Sequence, residues 1–145
     1  MKMASKRDNG LAGFNAALDR ILKNAEAQIT PALVRSGNEF AGTAKALAES
    51  SRDTGALIDS ITVTPPGQST PPYSQPGGAR VAGSTEVIVT AGNSDVRYAH
   101  LVEYGTAKAD AQPFFWPAWR ALRTRIRNRI NRAARKAIRE GWMST

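Results

Sequence analysis

The stretch Tyr98–Trp119, reading YAHLVEYGTAKADAQPFFWPAW, gathers six of the chain's ten aromatic residues into 22 positions. Tyr98, Tyr104, Phe114, Phe115, Trp116 and Trp119, with His100 and Leu101 among them, are hard to place on a surface unless they pack or bind. Gly105 ends a short apolar segment, while Pro113 and Pro117 begin a new one. The local reading is a short helix or turn over 97–104, a chain reversal at Gly105 and a helix whose first turn holds Pro117. Gly105 is expected at positive φ, where glycine alone turns without steric cost.

Upstream, Leu11, Phe14, Leu18, Ile21, Leu22, Ala25 and Ile29 recur mostly at steps of three and four, which predicts a helix with one apolar stripe. Thr30-Pro31 reads as an N-cap followed by proline at a first helical position. A second helix would then place Val34, Phe40 or Ala41, Ala44 and Leu47 or Ala48 inward, with Gly37 and Gly42 weakening it. One long helix kinked at Pro31 satisfies the same pattern, and both stay open.

Asp53-Thr54-Gly55 reads as a turn leading into a short helical piece through Leu57 and Ile58. Ile61–Thr64 and Glu86–Ala91 have the β-branched composition of strands and are expected to pair as an antiparallel hairpin. Between them, residues 65–79 hold five of the eight prolines and three glycines, which excludes a helix or a central strand. The expectation is a mobile loop, or an arm that orders against a neighbouring subunit with Tyr73 as anchor. The class that follows is α+β: a single domain over 1–145, with N-terminal helices and a C-terminal helix packed on a small antiparallel sheet. Residues 1–9 are read as a flexible start and 117–141 as a basic helix.

The formal net charge is +8, and its distribution says more than its sum. Residues 1–119 hold 11 basic and 11 acidic side chains, whereas residues 120–145 hold 9 basic and 1 acidic. In that last segment Trp119, Leu122, Ile126, Ile130, Ala133 and Ala137 form a narrow apolar stripe, and the rest of the surface is basic. Like charges at i, i+4 repel by about 0.2–0.5 kcal/mol per pair, so an outside anion would relieve them. Arg123, Arg125, Arg127, Arg129, Arg132, Arg135 and Arg139 are the candidate contacts to DNA or to an acidic protein, since arginine suits bidentate binding of phosphate and carboxylate.

No cysteine is present and there is one histidine, which excludes a disulfide framework and a thiolate metal site. Glu103 has no second carboxylate, nucleophile or glycine-rich phosphate loop at a recognisable spacing. It reads as a structural carboxylate accepting hydrogen bonds from backbone or arginine, and His100 as a packed or interface histidine. No catalytic set, cofactor or metal is expected. The apolar runs fall short of the ~18–20 residues that span a bilayer, and Met1–Gly13 has no apolar signal-peptide centre, so the expectation is a soluble, unprocessed protein.

Tyr98-Ala99, Glu103-Tyr104-Gly105-Thr106 and Gln112-Pro113-Phe114 with Pro117-Ala118 resemble the signature of the neck, or tail-completion, proteins of long-tailed bacteriophages. Asp53-Thr54-Gly55-Ala56-Leu57 leading to Ser60-Ile61 is similar to a second element of that family. The two pieces span residues 53 to 120. The resemblance implies an oligomeric ring of the virion neck that completes the tail and joins it to the head, assembled in the host cytoplasm. Tyr98, Glu103, Gly105, Thr106, Pro113, Phe114 and Pro117 would then form an assembly motif. The implied partners are further copies of the chain, the tail terminator, the head-closure ring and DNA in the lumen, with no membrane. Two other classes fit the basic helix alone: a free-standing nucleic-acid-binding protein and a membrane-surface protein. The first does not explain the aromatic centre, and the second has only a narrow apolar stripe with small alanines to offer a lipid surface.

Overall fold

The computed structural model describes residues 2–49, 55–107, 110–111 and 113–143, with residues 2–9 as backbone alone. The element order is α1 (Lys2–Ala48), α2 (Gly55–Asp59), β1 (Thr62–Thr64), β2 (Ile88–Thr90), α3 (Ala99–Tyr104) and α4 (Phe115–Met143). This is the α+β class expected, with a two-stranded antiparallel sheet in the register Thr62↔Thr90, Val63↔Val89 and Thr64↔Ile88. The expected turn at Asp53-Thr54 and the motif residue Gln112 lie outside the described residues.

α1 settles the alternative at Pro31 in favour of a single helix of 47 residues, which contains that proline. Its backbone takes in residues 2–9, set aside from the sequence as a flexible start. Proline removes one intrahelical hydrogen bond, yet Pro31 faces solvent and the Thr30 hydroxyl donates to the Glu26 carbonyl at 2.7 Å. The larger reason is tertiary, because α4 lies antiparallel along α1 and holds it on both sides of the proline. Asn24 donates to the Ala137 carbonyl at 3.1 Å on one side, and Phe40 stacks edge-on against Phe115 with centroids 5.0 Å apart on the other. A helix packed along one partner over that length does not depend on one missing hydrogen bond.

Glycines mark the close approaches. A Cβ at Gly37 would stand 2.9 Å from Val87 Cγ1 and 3.1 Å from Val63 Cγ1, so Gly37 lets the sheet lie directly on α1. At the far end of the seam, a Cβ on Gly141 would meet Ile21 Cα at 3.1 Å. The core lies beyond Gly37 and is built from Phe40, Ala41 and Ala44 of α1, Leu57 and Ile61, Ala91 and Val96, and Phe114, Phe115, Ala118 and Ile126.

The proline-rich segment folds back on its own continuation. Thr70 N donates to the Arg80 carbonyl and Ala82 N to the Gln68 carbonyl, both at 2.8 Å, and Arg80 N is bound by the Thr70 hydroxyl at 2.8 Å. Gln75 bridges Ala91, which continues the pairing one residue beyond the three-residue β2, within the β-branched run 86–91. Tyr73 is 54% exposed at φ 61, with the Arg97 guanidinium 3.8 Å from its ring centroid. No helix among the described residues is long and apolar enough to cross a membrane.

Candidate functional site: an aromatic junction and a basic helix

The aromatic stretch folds into a junction that sets the direction of α4. Glu103, 6% exposed on α3, turns its carboxylate to the start of α4, where Oε1 accepts the backbone N–H of Phe115 at 2.7 Å and that of Phe114 at 3.4 Å. A helix start leaves its first N–H groups without intrahelical acceptors and carries partial positive charge, so a buried carboxylate there satisfies both needs. Pro117 in the first turn has no N–H to satisfy. The neighbouring Tyr104 hydroxyl accepts from Trp116 Nε1 at 2.6 Å, adding a second tie between the same two helices. Glu103 accepts hydrogen bonds from the backbone, as its surroundings in the sequence suggested.

Gly105 makes the geometry possible. Its φ of 78° and ψ of 174° lie in a region that glycine occupies almost alone, as expected, and its N–H returns to the Leu101 carbonyl at 2.8 Å. Tyr98 precedes α3 as its half-buried N-cap residue, and Phe114 is 1% exposed in the core. Pro117 is half-buried, whereas Thr106, Pro113 and His100 are exposed. The second motif piece joins the same core through Ser60. Its hydroxyl donates to the Leu57 carbonyl at 2.6 Å and accepts Gly92 N–H at 2.9 Å, tying the end of α2 to the turn after β2. A Cβ on Gly92 would lie 2.8 Å from the Val96 carbonyl oxygen and 3.6 Å from Ala99 Cβ, so the two pieces meet where α3 begins.

The basic helix divides into two groups that its sequence did not separate. Arg129 is turned inward, with 13% of its side chain exposed, and donates to Glu39 Oε2 at 2.7 Å and to the Ser36 hydroxyl at 3.1 Å. Arg125, 67% exposed, reaches the other oxygen of Glu39 at 3.3 Å. The hydrogen bond from Arg129 holds the Glu39 carboxyl below its ordinary value, against partial desolvation and with Arg125 helping. These two arginines therefore fasten α4 to α1: Arg129 is turned away from the outward set, while Arg125 stays exposed beside it. Arg123, Arg127, Arg132, Arg135 and Arg139 stay exposed with no ion pair among the described residues. Thr124, Arg125, Asn128, Asn131, Arg132 and Arg135 line an open cleft on the outer side of α4.

Glu39 and Ser36 had no signal in the sequence, because their partners lie 86 to 93 residues away. Among the described residues no group of three or more His, Cys, Asp or Glu side chains could hold a metal ion.

Compared with known proteins, residues 12–105 match the family model described as "Bacteriophage HK97-gp10, putative tail-component". No curated protein and no solved structure matches the chain. The matched range runs from α1 through the sheet and α3 to Gly105, and the basic face of α4 lies beyond it. With that range covering well over half of its length, the chain belongs to the HK97-gp10-like family of bacteriophage tail components.

Proposed function

We propose that this tail component is a subunit of the phage neck, where copies form a ring that completes the tail and joins it to the head. Its work is structural: it binds neighbours and does no chemistry. The observation that carries the reading is the outer face of α4, on which Arg123, Arg127, Arg132, Arg135 and Arg139 are exposed with no acidic residue in the helix before Glu140. A concentration of arginine on one side of an otherwise neutral body favours a fixed anionic neighbour, either DNA in the lumen of the ring or an acidic surface of the adjoining tail terminator or head-closure ring. Tyr98, Glu103, Gly105, Thr106, Pro113, Phe114 and Pro117 support assembly indirectly, by setting the direction in which that face points.

The test replaces Arg127, Arg132, Arg135 and Arg139 by glutamine and leaves the Glu39-bound Arg125 and Arg129 in place. Head–tail joining and DNA retention are then scored in particles. Loss of DNA from joined particles places the face against DNA, and failure to join places it against protein. Unchanged joining and unchanged retention would sink the proposal. The same face also supports the reading as a free-standing nucleic-acid-binding protein, which requires tight DNA binding by the isolated monomer. Such binding would weaken with salt by a log–log slope of about −0.9 for each duplex phosphate neutralised.

A further inference from the structure

α1 carries two apolar surfaces that cannot meet within one molecule. The first is its N-terminal overhang: α4 ends level with Ile21, where Gly141 packs, and residues 10–16 are exposed throughout. Leu11, Phe14, Leu18 and Leu22, the stripe that the spacing marks as inward, are 64%, 52%, 39% and 62% exposed. The second is a groove further along α1, with Leu33 and Gly37 at its floor, Val87 and Val89 on one wall and Trp119 and Ile130 on the other. It encloses about 280 Å³, room for a few large apolar side chains, and its lining is mostly apolar.

We infer that the overhang of one copy docks in the groove of the next. The two surfaces match in chemistry, ridge against trough, in the manner of an amphipathic helix laid in a groove. Leu18 and Gly37 stand 19 residues apart on one unbroken helix, roughly 28 Å at 1.5 Å per residue, so the overhang cannot fold back into its own groove. Three large apolar residues in a row on a protruding helix, Leu11, Phe14 and Leu18, continued by exposed Leu22 at its base, with a trough of the same character on the same chain, make a second copy the occupant that both halves fit. Because the two surfaces differ, the contact is head-to-tail and repeats from copy to copy, giving a ring where its rotation closes. This specifies how copies join in the ring proposed above. Solution cross-linking tests the contact and particle joining tests the neck role, so each can fail without the other.

The chain lacks cysteine, which makes the test direct. Leu18→Cys and Val87→Cys, made as separate full-length variants, are mixed and treated with a short bismaleimide. The expected result is a covalent heterodimer from the mixture, little product from either variant alone, and a ladder of oligomers from the doubly substituted chain. Phe14→Glu with Leu18→Glu, both outside the packed body, should leave the melting temperature unchanged and reduce the sedimentation coefficient to that of the monomer. Cross-linking of Leu18→Cys only to itself would show that overhangs pair symmetrically. A wild-type chain that sediments as a monomer at its highest soluble concentration would show that copies of the chain do not fill the groove. Either result overturns the inference.

Discussion

The buried carboxylate of Glu103 accepts the backbone N–H of Phe115 at 2.7 Å, so the short helix α3 caps the longest contact surface of the C-terminal half. The pair stands 12 residues apart, joined by the reversal at Gly105. Removing the carboxylate leaves two buried N–H groups and a void. Glu103→Ala should lower stability by about 2–3 kcal/mol, while Glu103→Gln, which keeps an acceptor but loses the charge at the helix start, should cost about 1 kcal/mol. Urea unfolding midpoints that do not separate the two variants would contradict the capping role.

Gly105 is the hinge of that contact. At φ 78° and ψ 174° any side chain is strained. Gly105→Ala should cost about 1–3 kcal/mol, and Gly105→Val should unfold or misassemble the protein. Thermal melting and particle yield of the two variants provide the check, and normal values for both would mean that the backbone can turn otherwise.

Glu39 gives acid sensitivity a defined source. Its carboxyl sits below the ordinary value of 4.5 in the folded state, chiefly through the Arg129 hydrogen bond. A carboxyl depressed on folding contributes stability that is present above its unfolded value and lost as pH falls through the folded one. Wild type should therefore lose stability more steeply than Glu39→Gln below the ordinary carboxylate range, with the two curves parallel above it. Since the Arg129 side chain is 13% exposed and that of Arg125 67%, Arg129→Gln should cost more than Arg125→Gln in unfolding measurements at neutral pH. Equal costs would show that the lower exposure of the Arg129–Glu39 pair does not matter.

Thr90 points the other way. Its hydroxyl is buried in β2 without a hydrogen-bond partner among the described residues, and so is that of Ser74. Thr90→Val keeps the shape and removes the unpaired group, so stability should hold or rise by up to about 1 kcal/mol. A clear fall in the unfolding midpoint would reveal a partner for that hydroxyl.

What the sequence by itself determined is local. The three-and-four spacing marked α1 and the stripe of α4, the β-branched runs located both strands, and a glycine between an apolar segment and a proline identified the reversal at Gly105. Each of these depends on neighbours within a turn or a few residues, where the backbone period leaves its pattern in the order of side chains. Tertiary structure decided the rest. Pro31 stays inside α1 because α4 holds both sides of it, and Arg129 leaves the outward basic face because Glu39 lies beneath it. The apolar stripe at Leu11–Leu22 remains in water because α4 ends before reaching most of it. The physical reason is common to all three: periodicity tells which side of a helix is apolar or charged, but what lies opposite that side is set by where a distant part of the chain begins and ends.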